Sequence, residues 1–267
     1  MIKAKKKFGQ NFLKDESIKK QIIQSMPKDN KLVVEIGPGL GDLTKELLKA
    51  SKRVVAFEID LELCGYLQNI FKTEIQSGQF ELICGDVLDE YQNTSLREEE
   101  YHLIANLPYY VATNIILKAL DDDKCMSILV MIQKEVAVKF ASKSGDKTFS
   151  ALSILANIIA KSQILFDVGS QCFDPPPKVT SSVLRLVKFS KYLEKDLFET
   201  TTEVEQFKTF LKIAFRQPRK VLIKNLQHTY QKEELTKLFD ILKIELKSRP
   251  HQLKISDYHL LFKNLNK

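Results

Sequence analysis

Short apolar runs and amphipathic stretches alternate along roughly the first 190 residues. The runs are KLVVEIG (31–37), RVVAFEI (53–59), FELICGD (80–86), YHLIANL (101–107), CMSILVMIQ (125–133) and SSVLRLVKF (181–189). They are short and mostly β-branched, which predicts buried strands. The stretches between them predict helices over 43–50, 61–71, 113–120 and 150–160. Repeated strand–helix–strand units predict an α/β fold on a mostly parallel sheet covered on both faces. Ligands of such sheets bind beyond the carboxyl ends of the strands, near the switch point. Past this region no β-branched run returns. Phe207, Phe210, Leu211, Ala214 and Phe215 recur at helical spacing, and Pro218 breaks or restarts the helix. Val221, Leu222 and Leu226 continue the stripe, and Leu235, Leu238, Phe239 and Leu242 make another helix. The expected division is a first domain over 1–192 and a small all-helical one over 193–267.

Composition narrows the class. The chain has 267 residues, 44% hydrophobic and 28% charged, enough for a sizeable core. No apolar stretch reaches the roughly 18 residues of a membrane span, and MIKAKKKFGQNFL lacks the apolar core of a secretory signal. A cytoplasmic protein is expected. Cys64, Cys84, Cys125 and Cys172 are scattered without a CxxC pair, so they are expected to be reduced and buried, with no metal. The net charge is +7. Four lysines lie within residues 1–7, and the segment from Phe189 onward holds 16 basic against 10 acidic residues. Basic ends on a slightly acidic middle fit a polyanion partner or a merely solvated surface.

The strand ends carry the chemistry. The first ends in EIGPGLGDLT, with Gly37, Gly39 and Gly41 at alternate positions before a helix. This departs from the dinucleotide spacing, because Asp42 stands where the third glycine would be. The second ends in FEID, where Glu58 is placed to accept from ribose hydroxyls. The third ends in GDVL, where Asp86 is either a helix cap or an acceptor for an adenine amino group. Together they describe a pocket for an adenosine-containing cofactor without a pyrophosphate, which S-adenosylmethionine fits.

The fourth strand runs into NLPYYV (106–111). A nucleobase's exocyclic amine is a poor nucleophile because its lone pair is delocalised into the ring. Acceptors on its two N–H groups draw the nitrogen toward sp³ character and aim the lone pair. The Asn106 side-chain oxygen and a backbone carbonyl at Leu107 or Pro108 are candidate acceptors. Pro108 fixes the turn, and Tyr109 offers a ring for stacking.

In order, KKKFGQNFL, EIGPGLGDLT, FEID, GDVL, NLPYYV and FDPPPKVTSSV closely resemble the bacterial small-subunit ribosomal RNA adenine N6,N6-dimethyltransferases. The likeness continues through AFRQPRKVLIKNL (214–226). It implies a Rossmann-like, seven-stranded class I methyltransferase sheet, S-adenosylmethionine as cofactor, and two adjacent adenosines near the 3′ end of the RNA as targets. It also implies cofactor contacts by Asn11, Leu13, Gly37, Gly39, Glu58, Asp86 and Asn106. Asn106, Leu107, Pro108 and Tyr109 would form the target-base motif, with Phe173 closing the other face of the adenine. Lys5, Lys6 and Lys7 of the arm, Lys178, and Arg216, Arg219 and Lys220 of the helical domain would meet RNA. A monomer acting on a precursor of the small subunit is expected. Val-Ala-Thr-Asn after NLPYY, Pro218 and His251 depart from the family pattern, away from the methyl-transfer groups. Two other readings share the motifs: a large-subunit RNA methyltransferase of the antibiotic-resistance type, and a non-catalytic RNA-binding assembly or transcription factor.

Overall fold

A computed structural model describes residues 4–5, 8–91, 95–189 and 197–266. Lys6, Lys7 and the expected 192/193 boundary lie outside them. The elements begin with β1 (Phe12–Leu13), α1 (Glu16–Ser25), β2 (Leu32–Ile36), α2 (Asp42–Ala50), β3 (Val54–Glu58) and α3 (Leu61–Ile70). Next come α4 (Lys72–Gln76), β4 (Phe80–Cys84), α5 (Val87–Glu90), β5 (Tyr101–Asn106), α6 (Ala112–Asp121) and β6 (Cys125–Gln133). Then follow α7 (Lys134–Ala141), α8 (Ala151–Ile159), β7 (Ala160–Val168), β8 (Phe173–Asp174) and β9 (Ser181–Lys188). The further α-helices among the described residues are Thr201–Ala214, Leu222–Leu226, Lys232–Ile241 and Ile255–Leu265.

The main sheet has seven strands in the order β4-β3-β2-β5-β6-β9-β7. Pairs β4–β3, β3–β2, β2–β5 and β5–β6 are parallel, and β9 runs antiparallel to β6. The chain winds outward from β2 to β4, then returns to the other side of β2 as β5. That reversal opens a crevice beyond the ends of β2 and β5. Every residue of β2 and β3 is buried, as covered parallel strands require. Helix α2 turns Leu43, Thr44, Leu47 and Leu48 inward. A separate two-stranded ladder pairs β1 with β8 in antiparallel fashion, Leu13 opposite Phe173.

At the amino ends of the strands, buried polar groups fasten the sheet. The Asp122 carboxylate accepts from Tyr101 Oη (2.7 Å), Ser95 Oγ (2.7 Å), Leu96 N (2.9 Å) and Lys124 N (2.8 Å). His102 bridges Ser127 Oγ (2.7 Å) and Asp29 (2.9 Å). With Asp122 and His102 partnered in this way, the desolvation penalty of leaving them unsatisfied is avoided.

Contacts divide the chain into two units: Met1–Ala137 with Gln163–Lys188, and Val138–Ser162 with Phe189–Lys267. The expected two-part division therefore missed an excursion. After β6 the chain leaves the sheet, and residues 138–162 join the later helices before the chain returns to the sheet unit. The core of that second unit is aromatic. The rings of Phe207 and Phe262 meet edge to face at 5.3 Å, Phe198 and Phe207 lie 5.0 Å apart, and Phe215 stacks on Tyr258 at 5.3 Å.

The cysteine expectation needs correction. Cys64 of α3 and Cys84 at the end of β4 form a disulfide, with Cα atoms 6.1 Å apart. Parallel pairing sets Cys84 opposite Glu58, and α3 starts just past that strand end, so residues 20 apart in sequence become neighbours. Cys84 is also exposed, whereas Cys125 and Cys172 are free and buried.

Candidate active site

One cavity gathers the motifs. Its space of about 1080 Å³ is continuous with solvent, and it is lined chiefly from five stretches of the sequence. These are the arm 8–13, the β2 end with its glycine turn, the β3 end, the Gly85–Leu88 turn, and residues 106–111 with Ile115 of α6.

The glycine turn begins where β2 stops. Gly37 and Gly39 have φ of 71° and 61°, in the left-handed region that side chains other than glycine disfavour. A Cβ on Gly39 would also lie 2.9 Å from Phe12 Cδ1. The turn therefore lets the arm close over it, and it leaves backbone rather than side chains facing the cavity. Glu58 is 3% exposed and braces the same turn: its Oε2 accepts from Gly39 N (3.2 Å) and its Oε1 from Asp60 N (2.9 Å). A carboxylate has about four acceptor sites, so capacity remains for hydroxyl donors. Burial pushes the Glu58 carboxyl above its ordinary range, against the hydrogen bonds that lower it. Asp86 caps α5 through Oδ1, which accepts from Leu88 N at 2.9 Å, and it also lines the cavity. The cap reading and the binding reading of Asp86 hold together, because a cap occupies only part of its acceptor capacity.

The end of β5 is held by the arm. Asn106 Nδ2 donates to the Asn11 carbonyl at 3.0 Å. That bond orients the carboxamide and leaves Oδ1 without a protein donor among the described residues. The Pro108 carbonyl accepts from Val111 N (3.2 Å) and Ala112 N (3.1 Å), the first turn of α6. Of the two carbonyls open from sequence, Pro108's is thus spent on the helix and Leu107's is left. Tyr109 is half-buried, and its hydroxyl lies 2.7 Å from Ser181 Oγ at the start of β9. This pins the ring at the cavity wall.

Electrostatics set what the cavity can hold. Glu35, Asp42, Glu58 and Asp86 line it, and no Lys or Arg does among the described residues. A pyrophosphate would find no counter-charge here, whereas a sulfonium cation would. The residues therefore fit S-adenosylmethionine: acids at successive strand ends for the ribose and the adenine amine, and a glycine turn for close approach. Glu35 is wholly buried, and burial pushes its carboxyl up to about 8. Its Oε2 accepts from Thr44 Oγ1 at 2.6 Å, which ties α2 to the end of β2.

Other predicted residues lie elsewhere. Phe173 is 4% exposed and does not line the cavity. It alternates inward from Asp174 on β8 and packs in the core with Leu13 and Cys172, so its expected place on the adenine face is not seen here. Lys5 is turned onto the protein's own acids: Nζ lies 2.8 Å from Asp60 and 2.7 Å from Glu62. Lys178 is exposed on the loop before β9. Arg216, Arg219 and Lys220 are exposed between helices Thr201–Ala214 and Leu222–Leu226. Sequence reasoning passed over Glu35, Gln10, Asp60 and Tyr110. The acid opening EIGPG was the one visible signal for Glu35; nothing in the sequence set the other three apart.

The comparisons agree with this geometry. The family model for ribosomal RNA adenine dimethylase matches residues 1–267. Ribosomal RNA small subunit methyltransferase A of Campylobacter curvus is 51% identical over 99% of this chain and 93% of its own length. The protein of the same name from Sulfurimonas denitrificans is 50% identical over 98% of this chain and 94% of its own. Among solved structures, a dimethyladenosine transferase from Plasmodium falciparum superposes with a TM-score of 0.76 at 24% identity, covering 94% of this chain and 96% of that one. The 23S rRNA methyltransferase ErmE gives 0.71 at 20% identity, covering 96% of this chain and 100% of that one. At such identities these two structures speak for the fold, and the sequence relatives speak for kinship. By motif order, cavity and end-to-end match, the chain belongs to the ribosomal RNA adenine dimethylase family.

Proposed function

We propose that this S-adenosylmethionine-dependent enzyme dimethylates N6 of two adjacent adenosines near the 3′ end of small-subunit ribosomal RNA, within a precursor of that subunit. The carrying observation is the Asn106 carboxamide, whose Nδ2 is held by Asn11 so that Oδ1 is presented at the strand end. Asn106 Oδ1 and the Leu107 carbonyl accept the two N–H groups of the target amine. S-adenosylmethionine supplies an already activated methyl group, so positioning carries most of the catalysis. The target base leaves its stack to reach the cavity, and the Tyr109 ring receives it. Asn11, Leu13, Gly37, Gly39, Glu58 and Asp86 hold the cofactor. Lys178, Arg216, Arg219 and Lys220 supply phosphate contacts, and salt-dependent affinity follows from them. The reading places the enzyme in the cytoplasm as a monomer; no helix among the described residues is long and apolar enough to cross a membrane. Small-subunit specificity is supported by relatives at about half identity that carry the small-subunit name, whereas the 23S enzyme is matched at only 20%.

The test is transfer of labelled methyl groups to undermethylated small subunits, with large subunits in parallel. Labelling confined to small subunits and abolished by Asn106→Ala is expected. Full activity of Asn106→Ala would overturn the assigned role.

A further inference from the structure

The arm is fastened beside the cavity at points the cofactor residues do not include. Asp60 is 3% exposed and sits just past the end of β3, two residues after Glu58. Its Oδ1 takes Lys5 Nζ (2.8 Å) and Glu62 N (3.1 Å), and its Oδ2 takes Gln10 Nε2 (3.1 Å). The Gln10 side chain also accepts from Lys5 N at 2.7 Å. One buried carboxylate thus gathers Lys5 and Gln10 while it caps α3. Gln10 immediately precedes Asn11, whose carbonyl orients Asn106.

A second contact lies at Gly9. A Cβ there would sit 3.3 Å from Tyr110 Cδ1, so the Tyr110 ring rests against the arm backbone. Tyr110 is 60% exposed, so the arm backbone is what its ring meets on the covered side. Both Gly9 and Tyr110 line the cavity, as Glu58 and Asp86 do. The Tyr110 hydroxyl is held above its ordinary range by burial first and then by the charges of Asp86 and Glu58, which agrees with that placement.

We propose that Lys5, Gln10 and Asp60 form a clamp which, with the Tyr110 ring, holds the arm closed on the cofactor and sets how tightly S-adenosylmethionine is retained. Lys5, Gln10 and Asp60 are positioning residues acting through Asn11 and Leu13; Tyr110 walls the cavity. The clamp gives Lys5 a role within the protein in place of an RNA contact. It rests on the cofactor reading of the cavity above.

The experiment is calorimetric titration of the full chain with S-adenosylmethionine, paired with steady-state kinetics on undermethylated small subunits. Lys5→Met is expected to weaken cofactor binding by about three- to fivefold, the scale of a part-exposed ion pair. Tyr110→Ala is expected to weaken it by about tenfold and Tyr110→Phe hardly at all, since the ring rather than the hydroxyl makes the contact. In both weakened variants KM for the cofactor rises in step, while KM for small subunits stays within about twofold. Melting temperatures verify that these surface changes leave the fold intact. Unchanged cofactor affinity in Lys5→Met and Tyr110→Ala would overturn the clamp, as would a rise confined to KM for small subunits, which would return both residues to RNA. Glu58→Ala separates the two levels. Lost cofactor binding in Glu58→Ala with intact binding in the clamp variants sinks the clamp alone. Intact binding in all of them sinks the cofactor reading as well.

Discussion

Asn106 Nδ2 and the Asn11 carbonyl lie 3.0 Å apart, so a residue of the arm decides which way the carboxamide proposed to hold the target amine faces. Replacement by aspartate removes that donor and sets a carboxylate against a carbonyl oxygen. Asn106→Asp is expected to lower kcat by about 100-fold or more, the scale of a misplaced reacting group, with the melting temperature little changed. Single-turnover methyl transfer to undermethylated small subunits measures it. A rate near that of the native enzyme would show that orientation by Asn11 does not matter.

Glu35 makes stability depend on pH. Its carboxyl lies at about 8 when folded, against an ordinary 4.5. A raised carboxyl binds its proton more tightly in the native state, so the stabilisation is fully present below about pH 4.5 and is lost as pH rises through about 8. The span corresponds to a loss on the order of 5 kcal/mol at most. Glu35→Gln keeps an acceptor for Thr44 and removes the titration. Its unfolding free energy is expected to change little at pH 5, to exceed that of the native protein at pH 8, and to vary less between them. Denaturant unfolding across that range measures it.

Gly39→Ala combines a left-handed φ of 61° with a Cβ 2.9 Å from Phe12 Cδ1. The arm must shift to relieve the contact. We expect a loss of about 1–2 kcal/mol in stability and at least tenfold weaker cofactor binding, read by thermal unfolding and calorimetry. Gly78→Ala is the comparison, because its φ of 76° is equally unusual but nothing lies within 4 Å of its Cβ. It should lose stability without losing affinity.

Arg216, Arg219 and Lys220 are exposed between two helices. The triple Ala variant is expected to bind small-subunit RNA more weakly, with a log K against log salt slope shallower by about 2–3. Its cofactor affinity should be unchanged. A slope equal to that of the native protein would remove these residues from the RNA interface.

Phe207 is 1% exposed and meets Phe198, Phe210 and Phe262. Phe207→Ala is expected to cost about 3–5 kcal/mol. It should lower the stability of the helical unit without changing how the cavity unit binds cofactor. Residue-resolved hydrogen exchange distinguishes the two.

What could be read from the chain follows from how its signals arise. Strands such as LVVEI and VVAFE were visible because burial on both faces demands unbroken apolar runs. β7, at one edge of the sheet, was missed because Lys161, Ser162 and Gln163 open it with polar residues, whereas half-buried β4 at the other edge keeps the recognisable run FELIC. Helix α1 was missed as well, although Asp15 caps it by accepting from Ser17 and Ile18 amides. The glycine turn, Glu58, Asp86 and Asn106 were legible because each closes a strand and carries chemistry that a strand end needs. The Cys64–Cys84 bond, the inward turn of Phe173 and the fastening of Lys5 were not. Each depends on two distant segments meeting, and local pattern says nothing of such meetings.

The six residues of β5 divide into two kinds of work. Its first two side chains are anchored by Asp122 and Asp29, and its last is the carboxamide that lines the cavity. Damage along this one strand should therefore change character with position: errors at Tyr101 or His102 lower the amount of enzyme a cell keeps, and errors at Asn106 lower what each molecule accomplishes. A survey of growth defects that records abundance beside turnover would see that crossover within a span of six codons.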